Sequence, residues 1–299
     1  MKKISVKDII TCLGDDVKNV LGTIDGIYID NLADVAHTNC ATLDWVNTSK
    51  TNKQEIIEKS PARVMLVDES VEYVEGKVLI LVKNPKKALA IVGNTFFVER
   101  PEPGIHPTAI ISPKARIGNN VHIGAYTVIG DAIIGEGTII SPFVKIYDNV
   151  TIGRECYFKE GAVIGGEGFG FEKDNDGNRF RFPQIGGVCI GNHVDIGAGT
   201  CVDRGALSIT EIGDYTKISN QCQIAHNVKI GRNVILTACV EISGSCIIGD
   251  GTWVGPNSCI RDGRKVGENS LVGIGSVVVK DIPSNEVWAG NPARYMRGK

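Results

Sequence analysis

A period of six residues governs this chain from Ile105 to Val278. Ile105, Ile111, Ile117, Ile123 and Ile129 open the count, and Ile134, Ile140, Ile146, Ile152, Phe158 and Ile164 continue it in a shifted frame. It resumes at Ile190, Ile196 and Val202 and closes with twelve unbroken steps from Ile212 to Val278. All 26 positions are aliphatic or Phe. A helical repeat of 3.6 cannot hold a strict six, so the period excludes a long amphipathic helix.

The fifth place of each hexad is a second column. Where one hexad runs directly into the next there are 22 such places, and 21 hold Ala, Val, Thr, Ser or Cys, among them Ala115, Val144, Cys156, Thr200, Cys222, Cys246 and Ser258. Arg264 is the exception. A narrow coil that closes every few residues alternates large and small inward side chains, so the two columns predict a mainly β fold, a parallel β-helix whose flat sides are short strands. Three hexads per triangular turn give between eight and nine turns from the 26 hexads. Fourteen of the large residues are followed by Gly, which absorbs much of a content of 36 Gly. The expected role of that Gly is a corner needing positive φ or close backbone approach.

Residues 1–100 lack the repeat and read as a small α/β domain. Ala62–Asp68 and Lys77–Val82 look like buried strands, and Asn84-Pro85 caps a helix that follows. The coil is expected over 101–282, with loops ejected at 165–189 and 203–211, and residues 283–299 as a tail over the last turn. Loops thrown out of a regular column bury little and order much chain, so they are where a site is expected.

Composition narrows the partners. A net charge of −2 supplies no field to gather nucleic acid or anionic membrane. No apolar run reaches membrane-spanning or signal-peptide length, so the expected location is cytoplasmic. Nine Cys without a C-x-x-C pair read as reduced thiols, with Cys156, Cys222 and Cys246 as core filling. The histidines lack the clustering a metal site requires, which excludes a γ-class carbonic anhydrase on the same coil; no metal is expected.

Of five histidines, His226 stands third in its hexad, in a mostly polar column that points away from the interior. Its surroundings are specific. The run Asn220-Gln221-Cys222-Gln223-Ile224-Ala225-His226-Asn227-Val228, the block from Asp195 to Leu207, and the Gly168-Phe169-Gly170-Phe171 loop ending in Phe182-Pro183-Gln184 resemble the UDP-3-O-(3-hydroxyacyl)glucosamine N-acyltransferases, left-handed β-helix enzymes of lipid A synthesis.

That resemblance implies the rest. His226 becomes a general base, a role suited to a side chain that ordinarily titrates near neutrality. Gly244, in Ser243-Gly244-Ser245, becomes the backbone donor to an oxyanion. Phe169 and Phe171 wall the acyl or pantetheine channel, Gln223 and Asn227 contact substrate, and Trp45 and Asn47 contact uridine. The resemblance also implies a homotrimer with sites between subunits, a nucleotide-sugar acceptor, and an acyl thioester of acyl carrier protein or coenzyme A as co-substrate, with no tightly bound cofactor.

The chain departs from the family pattern in three places. Ile260–Arg264 has no second His, Asp44 and Lys50 stand where the family has aromatics, and the tail resembles those of coenzyme A-dependent sugar acetyltransferases. The alternatives are therefore acetyl transfer from coenzyme A to a nucleotide sugar of a surface polysaccharide, or a non-catalytic scaffold.

Overall fold

The computed structural model describes residues 3–34 and 36–299. The chain falls into two compact units, Met1–Arg100 and Pro101–Lys299.

The first unit carries a five-stranded sheet in the order Val17–Leu21, Val78–Val82, Val64–Val67, Thr42–Trp45, Asn31–Leu32, with the first pair antiparallel and the others parallel. Helices α1 (Val6–Leu13) and α3 (Pro85–Phe96) lie on one face and α2 (Lys53–Lys59) on the other. Successive side chains of a strand point to opposite faces. Val64 and Leu66 accordingly pack with Ile9 and Val92, whereas Met65 and Val67 pack with Ile57. Burial on both sides is why these strands read as unbroken apolar runs. Asn84 caps α3 as its side chain predicts, accepting from the Lys87 N–H at 3.0 Å.

In the second unit most hexads become two-residue strands stacked in three parallel sheets, and those beside the two loops lengthen to three or four residues, as at Val163–Gly166, Gly187–Ile190 and Ile209–Ile212. Register places large residue on large residue: Ile117, Ile134, Ile152, Ile190, Ile212, Ile230, Ile248 and Val266 form one ladder. These residues fill a continuous core together with the small column. Inward hydroxyls are satisfied by the neighbouring coil. Thr200 Oγ1 donates to the Ser219 carbonyl at 2.8 Å and accepts from the Cys222 N–H at 3.1 Å. Arg264 fits the column only by leaving it, with 37% of its side chain exposed and its guanidinium 3.5 Å from Asp281. The tail adds Glu286–Ala289 in parallel to Leu271–Val272 and folds Arg294–Gly298 back on it as a hairpin.

The corners correct one expectation. Of the fourteen Gly that follow a large residue, only Gly165 has a positive φ. The left-handed residue is instead the fourth of the hexad, with φ between 52° and 63° at non-Gly residues from Asn120 to Asn269, Tyr126, Phe143 and His193 included. The Gly in second place is there for space. A Cβ on Gly118 would stand 2.6 Å from the Glu136 amide nitrogen of the next coil.

Candidate active site

The two ejected loops are tied together at their base. Loop 165–189 runs out as a hairpin, Phe171–Lys173 against Arg179–Arg181. Its return meets loop 203–211 through Ile185 N–H to Ala206 O (2.7 Å) and Gly186 N–H to Gly205 O (3.0 Å). Arg204 locks the opposite side, donating from Nε to Gly165 O at 2.8 Å and from Nη2 to Asp148 O at 3.2 Å. Its charge is thereby spent on backbone.

Asn227 connects this assembly to the coil. It is a fourth-place residue with φ 61°, and its Oδ1 accepts from the Ala206 N–H at 2.8 Å and the Ser208 hydroxyl at 3.2 Å. Because Oδ1 is the acceptor, Nδ2 is the donor, and it lies 3.3 Å from His226 Nδ1. A neutral imidazole accepting there carries its proton on Nε2. The Asn227 side chain is thus engaged within the chain and acts on the histidine.

His226 occupies the turn after Ile224 and is half-buried. Its ring is flanked by two glycines. A Cβ on Gly244, one coil on, would lie 2.7 Å from Cε1 and 2.9 Å from Nε2. A Cβ on Gly168, in the ejected loop, would lie 3.0 Å from the histidine Cβ and 3.1 Å from Cδ2. A methyl on Gly244 requires the ring to move, whereas one on Gly168 would press on the histidine and on Gln184 Oε1, also 3.0 Å away, on a loop that can give. The Gly244 carbonyl accepts from Gly263 and the Ser245 N–H donates to His226 O, while the Gly244 N–H makes no hydrogen bond among the described residues.

A cleft of about 550 Å³ surrounds the histidine, lined at one end by Phe169, Phe171 and Arg181 and along its floor by Asp203, Gln223, Glu241 and Gly244. The two Phe rings meet edge to face, centroids 4.9 Å apart, and Phe169 is 87% exposed. Gln223 Nε2 donates to Asp203 at 2.9 Å, and the Ser243 hydroxyl donates to Glu241 at 2.9 Å. Burial pushes the Asp203 carboxyl up to about 6 against the lowering effect of Gln223, and pushes Glu241 up as well.

His226, Gly244, Phe169, Phe171 and Gln223 therefore converge on one cleft. Trp45 and Asn47 belong to the first unit. Trp45 lines a separate pocket of about 360 Å³ with Asp44, Asn52, Glu55 and Lys59. Asn47 is exposed, and its Oδ1 accepts from the Ser49 N–H and hydroxyl, both at 3.0 Å. Sequence reasoning overlooked Gly168, Asp203 and Glu241. The hexad count held a signal for Glu241, which stacks directly on Gln223; nothing local marks Gly168 as a neighbour of His226. Among the described residues no group of three or more His, Cys, Asp or Glu is placed to hold a metal, and no helix is long and apolar enough to cross a membrane.

Two segments, 131–166 and 209–244, match the bacterial transferase hexapeptide model (six repeats), in keeping with the left-handed parallel β-helix. The chain is 32% identical over 262 residues to a UDP-3-O-acylglucosamine N-acyltransferase of Coxiella burnetii (strain Dugway 5J108-111), covering 81% of this chain and 75% of that protein. The chain belongs to the UDP-3-O-acylglucosamine N-acyltransferase family. A family member from Pseudomonas paraeruginosa (strain DSM 24068 / PA7) is 41% identical over 73% of this chain and 66% of its own length. One from Pseudomonas savastanoi pv. phaseolicola is 40% identical over 64% of this chain, and the match spans 59% of that relative. Among solved structures, the UDP-N-acetylglucosamine O-acyltransferase of Moraxella catarrhalis RH4 aligns at TM-score 0.59 and 29% identity, over 64% of this chain and 73% of that one. The UDP-N-acetylglucosamine acyltransferase of Campylobacter jejuni aligns at TM-score 0.57 and 29% identity, over 64% and 74%.

Proposed function

We propose that this member of the family is an acyltransferase that moves an acyl group from a thioester to the amine of a UDP-linked amino sugar, in lipid A synthesis in the cytoplasm. The observation that carries this reading is the placement of the His226 imidazole beside Gly244, whose N–H is free to donate.

In the proposed reaction the acceptor amine attacks the thioester carbonyl, forming a C–N bond. His226 takes the amine proton, Gly244 N–H holds the oxyanion, and the C–S bond then breaks with the proton returned to the departing thiolate. In the free protein Asn227 occupies the lone pair of Nδ1 through a long bond of 3.3 Å. Substrate must displace that contact, or the ring must change tautomer, before the base can act. Phe169 and Phe171 would line the acyl or pantetheine end of the cleft, and Gln223, held by Asp203, the acceptor end. The Trp45 pocket, with Asn47 nearby in sequence, is the proposed uridine site, and the working form is a homotrimer.

The donor is a thioester of acyl carrier protein or of coenzyme A. The tail favours a second reading in which acetyl-coenzyme A is the donor and a surface-polysaccharide nucleotide sugar the acceptor. Thiol release from purified protein, with acetyl-coenzyme A against 3-hydroxyacyl carrier protein over UDP-3-O-acylglucosamine and other amino sugars, separates the two. Release with no combination, or turnover undiminished by His226→Ala, would overturn the assignment.

A further inference from the structure

Asp203 and Glu241, on the floor of the His226 cleft, are carboxylates that no cationic side chain among the described residues pairs with. Each has one neutral hydrogen-bond partner, Gln223 and Ser243 respectively, and neither takes part in an ion pair among the described residues. The other charged groups nearby are already committed. Glu167 and Arg181, on the ejected loop, pair with each other at 3.6 Å, and Arg204 turns away to Gly165 and Asp148. Cys201, close to Asp203, is a thiol pushed up by burial and by that carboxylate. The carboxylates stand on either side of Gln223 along the coil axis, Asp203 one coil before it and Glu241 on the strand stacked after it.

Uncompensated carboxylates in a partly closed cleft are costly, and a ligand that brings N–H donors and positive charge removes that cost. We propose that Asp203 and Glu241 are the specificity determinants for an amine acceptor, binding the amino group of the sugar beside His226 and disfavouring the corresponding hydroxyl sugar. An ammonium offers three N–H donors and a charge, and it gives one proton to this carboxylate pair before the free amine attacks and His226 takes the second. A hydroxyl offers one donor and no charge. The apolar end of the cleft at Phe169 and Phe171 is left for the acyl chain. This inference rests on the acyltransferase reading for the identity of the ligand, and on the cleft alone for its chemistry.

The test is calorimetric binding of UDP-glucosamine and UDP-glucose to the full chain at pH 7.5, with no thioester present. The amino sugar is expected to bind at least ~10-fold more tightly, a factor within the reach of one charge-assisted hydrogen bond. The preference should shrink as the pH is lowered past about 6, where Asp203 takes up its proton. It should vanish in the double variant Asp203→Asn, Glu241→Gln through loss of UDP-glucosamine affinity, with UDP-glucose bound no more weakly than by the wild type. Equal or undetectable binding of the two sugars by the wild type would overturn the proposal, as would a preference that survives in the double variant. An amine preference without thioester turnover would uphold it while sinking the acyl-transfer reading; turnover without the preference would do the reverse.

Discussion

Gly168 and Gly244 hold the imidazole of His226 between them, one from a loop thrown out of the coil and one from the next coil of the column. The ring's position is set by the absence of side chains on both sides. Gly244→Ala should therefore displace the ring and lower turnover by ~10²-fold, the penalty typical of an ångström-scale misplacement. Gly168→Ala, whose loop can yield, should cost less. Far-ultraviolet circular dichroism should be unchanged in both. Wild-type thiol release in Gly244→Ala would show that the ring is not placed by that glycine.

His226→Ala removes the base altogether. Turnover is expected to fall by ~10²–10⁴, with thermal stability close to wild type because the side chain is only half-buried in a turn.

Asn227 fixes the tautomer. With its Oδ1 committed to Ala206 and Ser208, its amide must donate to Nδ1, so nitrogen-15 spectra of neutral His226 should show the proton on Nε2. Asn227→Asp keeps the two loop contacts and replaces the donor by an acceptor, which should move the proton to Nδ1. Identical spectra in wild type and variant would break the link.

Asp203 gives a pH dependence of stability whose sign follows from burial. Its folded carboxyl is raised to about 6 from an ordinary value of 3.8, so between those values the native state holds more proton than the unfolded chain. Its contribution therefore favours the native state below about 4 and is lost as pH rises through about 6. Asp203→Asn should raise the thermal midpoint above pH 6 and leave it unchanged near pH 4. A shift of equal size at both pH values would show that something other than ionisation is at work.

The inward cysteines should be silent. Burial pushes Cys156 and Cys246 up to about 11 and raises Cys222, and a thiol held protonated inside the column neither reacts nor is reached. Alkylation at pH 8 followed by mass mapping should label exposed Cys40 in the native protein, and these three only after unfolding.

Much of this fold was legible because it is periodic. Each hexad sees the same neighbours above and below, so a local rule written 26 times in the sequence fixes the strands, the two inward columns and the places where loops leave. The corners were less legible. Residues such as Tyr126 and Phe143 adopt the left-handed conformation that propensity assigns to Gly and Asn, because stacking on the coils above and below outweighs the local cost. Asn84-Pro85 and the doubly buried strands of the first unit could be read directly, since caps and apolar runs are local signals.

The sequence alone determined the coil, the reach of the two loops and the place of His226 on a polar column that faces away from the interior. Only the tertiary structure decided what surrounds that histidine. Gly168 is far from it along the chain and touches it because loop 165–189 folds back over loop 203–211, to which it is tied through Ala206 and Gly205. Asp203, Gln223 and Glu241 come from three different coils. Their charge and burial are properties of the cleft they share, and a six-residue period records which residues stack but not what an ejected loop will cover.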